Sequence, residues 1–272
     1  HDGALNAFLR LMPDEALAAA KTAEAQIMAG DWRGPMHGVP YALKDIIDAA
    51  GVPTTCHSKI FADAKAASAD AHVTGLLRRA GAILLGKTST HEFAIGGPSF
   101  DLPWPPARNP WNREHFPGGS SSGSAIGISE GLVDLALGGD QGGSIRIPAS
   151  FCGVVGLKPT FGLVPYTGIF GVDHTIDHAG PMARSVADVA LTLEAIAGKD
   201  PLDPRQGEVP VQSYTESLDR DIKGLRIGVL AEGFGLAASE PDVDVAVRKA
   251  AEAFKGLGAQ VTEISIPIHR ET

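Results

Sequence analysis

The chain has 272 residues, 44% of them apolar and 20% charged, so it can bury a sizeable hydrophobic core. This composition excludes a disordered tail and a disulfide-stapled miniprotein. The 23 basic and 32 acidic residues give a formal net charge of −9. We therefore expect no general attraction to nucleic acid or to an anionic membrane surface.

Helical and strand-like patterns alternate along the chain. The alternation predicts an α/β protein with a mixed or largely parallel sheet. A Pro-rich stretch at 101–112 is typical of an irregular loop, and 199–218 of a surface connection. In chain order, the predicted elements are a helix at 14–29, a strand ending at Lys44 and Asp45, a helix at 70–79, a strand within 80–88, an apolar run at 131–139, a helix at 185–198, a strand at 225–230, a helix at 240–257 and a strand-like run at 259–268.

The two cysteines give an expectation about the cellular compartment. Cys56 and Cys152 are far apart and neither is part of a CxxC pair, which favours reduced thiols in a cytoplasmic protein. No apolar run approaches ~18–20 residues, so no transmembrane helix is predicted. The chain lacks an initiator Met and stops just after a strand-like run, so we expect an excerpt of a longer protein.

Glycine is concentrated between residues 118 and 168, which hold 13 of the 33 glycines. Such density indicates unusual backbone angles or the close approach of another group. Tight turns alone would explain it. A phosphate-binding module is a non-enzyme alternative, but neither GGSSSGS (118–124) nor GGDQGGS (138–144) matches a phosphate-loop or dinucleotide pattern. A third interpretation is an oxyanion hole, formed by the backbone amides of Gln141, Gly142, Gly143 and Ser144.

A serine nucleophile needs a base, and the histidines do not supply an obvious one. No GxSxG elbow and no HExxH is present. His174 and His178 lie in a Pro/Gly-rich stretch predicted to be a loop, and we interpret the pair as structural or solvated, so no metal site is predicted. Lys44 follows an apolar stretch, and burial would lower its pKa and provide a neutral amine. The alternative is a lysine that extends to solvent or pairs with Asp45 or Asp48.

Five segments together resemble the amidase signature family. The long Gly/Ser-rich block is the most specific of them, because chance would not give both serine loops at that spacing followed by FCGVVGLKPT. The segments are GPMHGVPYALKDIID (34–48), GAILLGKTSTHEFAIGG (81–97), ARNPWN (107–112), the block from 116 to 165, and TIDHAGPMARSVADVALTLEAIAG (175–198).

The resemblance implies a Ser–cis-Ser–Lys triad. Ser144 would be the acylated nucleophile, Ser120 the bridging serine with a cis peptide bond, and Lys44 the base. The amides of residues 141–144 would form the oxyanion hole. Asp140, Arg146 and Ser121 are interpreted as residues that support these groups.

The family fold is a single α/β/α domain whose mixed, twisted central sheet is flanked by helices. We expect the catalytic domain to span 1–272 and to lack an N-terminal helical segment and a C-terminal part. The implied activity is hydrolysis of carboxylic amides through an acyl-enzyme, with no cofactor and no metal. The expected partner is a small-molecule amide, with no nucleic acid, no membrane and a possible homodimer.

Departures from the family pattern bear on the subclass. Ser122 stands where many members have glycine, and Gln141 where threonine or isoleucine is frequent; we expect both to be tolerated. SIRIPA and KPTFGLVPYTG resemble stand-alone bacterial amidases more than the A subunit of the tRNA-dependent amidotransferase, whose glutaminase role is the alternative. The acyl group would contact apolar side chains that could equally be core or loop residues, namely Phe93, Ile95, Phe100, Trp104, Ile169 and Phe170.

Overall fold

A six-stranded mixed sheet organises the first part of the computed structural model, which describes residues 2–208 and 210–270. The spatial order is β1-β3-β2-β4-β6-β5. β2 runs parallel to β3 and β4, whereas the other pairings are antiparallel. The predicted mixed α/β class is therefore confirmed. The strands are β1 (Phe8–Leu11), β2 (Pro40–Lys44), β3 (Ile83–Thr88), β4 (Leu135–Asp140), β5 (Val155–Gly156) and β6 (His178–Ala183).

Helices cover both faces of this sheet, because successive strand side chains point to opposite sides. On one face, Leu43 and Leu137 pack in a core with α3 and α6. On the other, Ala42 and Ala136 pack with α4 and α5. Lys44 has the same parity in β2 as Ala42 and therefore points to the α4 and α5 side. The helices are α1 (Asp2–Leu5), α2 (Pro13–Met28), α3 (His72–Arg79), α4 (Ser122–Ser129), α5 (Arg146–Cys152) and α6 (Val186–Ile196).

The chain divides into two compact units, the first ending at Thr215 and the second beginning at Glu216. The second unit contains β7 (Arg226–Leu230), α7 (Pro241–Gly256) and β8 (Gln260–Ile264), with β7 and β8 paired in parallel. This is one strand–helix–strand unit, as the sequence pattern predicts. The expectation of one catalytic domain over 1–272 stays a prediction.

The long periodic elements were predicted within a few residues, whereas several short ones were missed. Helix 14–29 corresponds to α2 and helix 185–198 to α6. The loop assigned around His178 was wrong, because residues 178–183 pair with β4 in spite of their Gly and Pro. α4 and α5 were also missed.

In the part of the chain that the structure describes, no helix is both long and apolar enough to span a membrane.

Candidate active site

Lys44 ends β2 and is completely buried. Its Nζ lies 2.6 Å from Oγ of Ser120 and donates a second, 3.3 Å hydrogen bond to the carbonyl of Gly139. It therefore neither extends to solvent nor pairs with Asp45, whose carboxylate contacts Lys87 instead. A lysine enclosed in this way lacks the water that normally solvates an ammonium group.

The surroundings of Lys44 favour the neutral amine. Burial lowers its pKa from 10.5 to about 7, although the negative potential of Asp140, and less strongly that of Cys56 and Asp177, opposes the shift. A neutral amine keeps a lone pair that can accept a proton from the Ser120 hydroxyl. Near neutral pH, Lys44 and Ser120 can therefore exchange a proton directly.

Ser120 lies just before α4, and the Gly119–Ser120 peptide bond is cis, as the resemblance implies. The Ser120 carbonyl accepts a 3.1 Å hydrogen bond from the backbone N–H of His91. The His91 ring packs so closely on Gly119 that a Cβ at that position would come within 2.2 Å of it. Glycine is thus required at 119 by the contact with His91.

Ser144 is joined to the same segment through its backbone. Its carbonyl accepts a 3.1 Å hydrogen bond from the amide of Ser121, the residue after Ser120. Ser121 Oγ in turn bonds both the carbonyl and the amide of Gly139, at 3.2 Å each. Among the residues that the structure describes, the Ser144 hydroxyl makes no hydrogen bond. The structure thus brings Lys44 and Ser120 into contact, and a direct link from Ser120 to the Ser144 hydroxyl stays a prediction.

Asp140 shapes the loop between β4 and α5 that carries Ser144. Its buried carboxylate accepts hydrogen bonds from the amides of Gly143 (2.8 Å) and Ile145 (3.1 Å). Arg146 donates to both carboxylate oxygens, with Nε and Nη2 each at 3.0 Å. Burial raises the pKa of Asp140, but the hydrogen bonds from Arg146 and the two amides outweigh it, and the net pKa lies below its ordinary value.

These contacts bear on the predicted oxyanion hole, which stays a prediction. In this structure the Gly143 amide donates to the Asp140 carboxylate, a strong acceptor, at 2.8 Å. Within the described residues, the amides of Gly142 and Ser144 make no hydrogen bond. Glycine is required at position 143 because the backbone φ there is +127°, a value that residues with a side chain rarely adopt.

Gln141 connects this loop to the segment before β6. Its Nε2 donates to Oη of Tyr166 at 3.5 Å, and Tyr166 donates to the carbonyl of Phe170 at 3.4 Å. The Phe170 ring packs on Phe93, with centroids 5.5 Å apart. Of the apolar residues expected around the acyl group, Phe93, Phe170 and the buried Ile169 therefore belong to one neighbourhood. Ile95 and Phe100 are instead exposed, and Trp104 packs on His57.

The histidines and cysteines take other positions. Across residues 2–208 and 210–270, no group of three or more His, Cys, Asp or Glu side chains could hold a metal ion. His178 lies in β6 and accepts from Lys158 at 3.1 Å, while His1 lies outside the described residues. Cys56 and Cys152 are free and buried, and burial raises the pKa of both thiols to about 12.

Two features near Lys44 were missed from the sequence. His91 contacts Gly119 and Ser120, and Lys87 forms a buried ion pair with Asp45. A signal for the second was present, since Lys87 follows an apolar run just as Lys44 does. A lysine in such a run must find a partner when it is buried.

Comparison with known proteins assigns the family. A family model described as Amidase matches residues 1–272. The chain belongs to this family.

Its relatives are about twice as long. The A subunit of glutamyl-tRNA(Gln) amidotransferase from Geobacter metallireducens is 45% identical over 266 residues, which are 98% of this chain and 54% of the relative. The chain thus spans about half the length of the curated relatives it matches.

Solved structures of similar proteins likewise extend well beyond the length of this chain. The native peptide amidase from Stenotrophomonas maltophilia superposes with a TM-score of 0.88 at 38% identity, over 98% of this chain and 55% of that one. A complex described as vestigial, revealing the origins of an s-triazine catabolic enzyme, gives a TM-score of 0.89 at 42% identity, over 96% and 57%.

The Asp140 contacts generate a prediction about stability. Replacing Asp140 by Asn weakens the bonds from Gly143, Ile145 and Arg146, so the free energy of unfolding at pH 7 should fall by about 1–3 kcal/mol. Because the pKa of Asp140 is depressed in the folded state, this contribution is present above the unfolded pKa and is lost as the pH falls through the folded pKa. Urea unfolding at a series of pH values measures both effects.

The matched control is Asp134→Asn, whose ion pair with Arg184 is exposed on both sides. It should change the free energy of unfolding by less than about 1 kcal/mol. Equal losses in the two variants, or a deficit in Asp140→Asn that persists unchanged to acidic pH, would contradict this account.

Proposed function

We propose that this protein hydrolyses the C–N bond of carboxylic amides through an acyl-enzyme on Ser144, with Lys44 as the base. The observation that carries the proposal is the 2.6 Å contact between the buried Lys44 amine and Ser120. Membership of the Amidase family and the likeness to a solved peptide amidase support it.

The proton path follows from the donors and acceptors at hand. As Ser144 Oγ attacks the amide carbon, its proton passes to Ser120 Oγ, while the Ser120 proton passes to the Lys44 amine. The relay then reverses, protonates the leaving nitrogen and breaks the C–N bond, releasing ammonia or an amine. Water attacks the Ser144 ester by the same route and releases the carboxylate. Each proton accepted by Lys44 is returned, so the enzyme is unchanged.

The negative charge on the oxygen of the tetrahedral intermediate needs hydrogen-bond donors that are not already bonded within the protein. The amides of Gln141, Gly142 and Ser144 are the proposed oxyanion hole, with Gly143 holding the turn through Asp140. The aromatic pair Phe93 and Phe170 is the proposed neighbour of the substrate's acyl group. A cofactor has no part in this scheme.

A second candidate function is that of the glutaminase component of a tRNA-dependent amidotransferase. The 45% identity to the A subunit of such an enzyme favours it. The substitution of Ile147 in SIRIPA, where that component usually has glutamine, favours a stand-alone amidase. The amidotransferase component would need its partners for activity, whereas a stand-alone enzyme would work alone or as a homodimer.

Ammonia release by the purified protein tests the proposal. The panel contains aliphatic, aryl and amino-acid primary amides, with glutamine among them, and no partner protein. Hydrolysis is expected, and Lys44→Ala should lower kcat by about 10²–10⁴-fold because the base is lost. Ser144→Ala should abolish turnover.

Exposed residues supply the controls. Lys21→Ala and Ser150→Ala should leave kcat unchanged. Activity that survives Ser144→Ala would rule out the acyl-enzyme, and a wild type that binds phosphate or a nucleotide but hydrolyses no amide would favour the phosphate-binding module. Activity on glutamine that appears only with added partner proteins would favour the second candidate.

The pH dependence of the hydrolysis rate follows from the protonation state of Lys44. Below its pKa of about 7 the ammonium has no lone pair, and above it the amine can accept a proton. kcat/KM should therefore rise from acidic to alkaline pH with a midpoint near 7, measured under conditions where chemistry limits the rate. A flat profile between about pH 6 and 9 would exclude Lys44 as the base.

A further inference from the structure

A buried ion pair lies on the opposite face of the sheet from the Lys44 amine. Lys87 Nζ is 2.8 Å from Oδ1 of Asp45, and the two side chains are 1% and 2% exposed. Lys87 of β3 is in register with Leu43 of β2 and shares its face, whereas Lys44 points the other way. The ion pair therefore lies on the side of β2 opposite to the Lys44 side chain.

The ion pair ties three segments together. The second Asp45 oxygen accepts from the amide of Thr55 at 3.0 Å and from the Thr55 hydroxyl. Lys87 also donates to Thr54 Oγ1 at 3.0 Å, and Thr54 donates to Asp48 at 2.7 Å. The end of β2, the end of β3 and the loop after β2 thus meet at one buried polar cluster.

The backbone of Asp45 is held on both sides as well. Its amide donates to the carbonyl of Thr88 at 3.1 Å, and its carbonyl accepts from Cys56 at 3.0 Å. Its Cα is ~3.8 Å from that of Lys44. Any shift of Asp45 is therefore passed directly to the backbone from which the Lys44 side chain extends.

Stability alone is a weak reason for such a pair. Two charges must lose their water, and replacing a buried ion pair by neutral groups of similar size is often neutral or stabilising. Misplacing a reacting group by about 1 Å, in contrast, can cost about 10²-fold in rate. Placement of the neighbouring base is where this pair has most to contribute.

We propose that Asp45 and Lys87 are positioning residues for Lys44, which fix the end of β2 so that the Lys44 amine meets Ser120 while its side chain stays fully buried. This inference rests on the proposed function and deepens it. The ion pair does not touch the substrate and acts through the direction and enclosure of the Lys44 side chain.

The charged and titratable groups around Lys44 bear on the test. The groups whose charge acts on the Lys44 amine are Asp140 at the end of β4, Cys56 in the loop after β2 and Asp177 before β6. The charge of Lys44 acts in turn on His91, which follows β3. A variant that removes one charge of the ion pair would add a Coulomb effect to these, so the test removes both charges together.

The decisive variant is Asp45→Asn combined with Lys87→Met, which keeps the size of both side chains and changes no net charge. We expect kcat to fall by about 10-fold or more while KM stays within about two-fold, because the lost alignment matters in the transition state. The midpoint of the pH profile should move to higher pH, since a less enclosed Lys44 regains water. Lys87→Arg, which keeps the ion pair, should restore wild-type kcat and midpoint.

A purely structural role predicts something else. It would lower the unfolding temperature and the amount of folded protein, but the kcat of the folded fraction and the pH midpoint would be those of the wild type. That result overturns the inference. If the double variant does not fold, Thr54→Val decides, because it removes the hydrogen bond from Lys87 without changing any charge, and wild-type kcat and midpoint again overturn the inference.

Wild type and Lys44→Ala in the same assay separate the two proposals. If the wild type hydrolyses amides and Lys44→Ala does not, unchanged kinetics in the double variant refute only the positioning role. If the wild type and Lys44→Ala are equally inactive, the proposed function itself fails. Lys59→Met, which breaks the exposed contact with Asp101, controls for the loss of an ion pair as such.

Discussion

The contact between the Lys44 amine and the Ser120 hydroxyl is the interaction on which the rest of the site depends. It is made by a completely buried side chain, and burial is the main cause of the low pKa of Lys44. An ammonium group in this position would be poorly solvated, whereas a neutral amine satisfies the contact and stays basic. The burial that makes the charged form of Lys44 unfavourable therefore also makes its neutral amine available as a base.

Sheet topology explains how distant residues reach this contact. β2 and β4 run parallel, so Lys44 and Asp140, each the last residue of its strand, come to the same edge of the sheet. Ser120 and Ser121 lie where the chain enters α4, and Ser144 lies between β4 and α5. Ser121 joins the two serine segments through the Ser144 carbonyl and Gly139. Asp140 meanwhile fixes the turn that presents Ser144 by accepting a hydrogen bond from the Gly143 amide.

The sequence was informative where patterns are long. Periodicity was enough for α2, α6 and α7, and the resemblance supplied Ser120 and the cis peptide before it. α4 escaped prediction because GSSSGS has low helix propensity; the helix forms with residues 122–128 buried, so packing outweighs propensity. β6 escaped because Gly180 and Pro181 argue against a strand. The partner of Asp45 depends on the register between β2 and β3, which no local pattern encodes.

Covalent labelling of Ser144 tests the central claim most directly, because it needs no knowledge of the natural substrate. The purified protein is treated with a serine-directed fluorophosphonate over a range of pH, and the modified peptide is identified by mass spectrometry. The account predicts a single adduct on Ser144, formed faster as the pH rises through about 7 and strongly slowed in Lys44→Ala. Labelling of another residue, or labelling of Ser144 at a rate that neither pH nor Lys44→Ala alters, would contradict it.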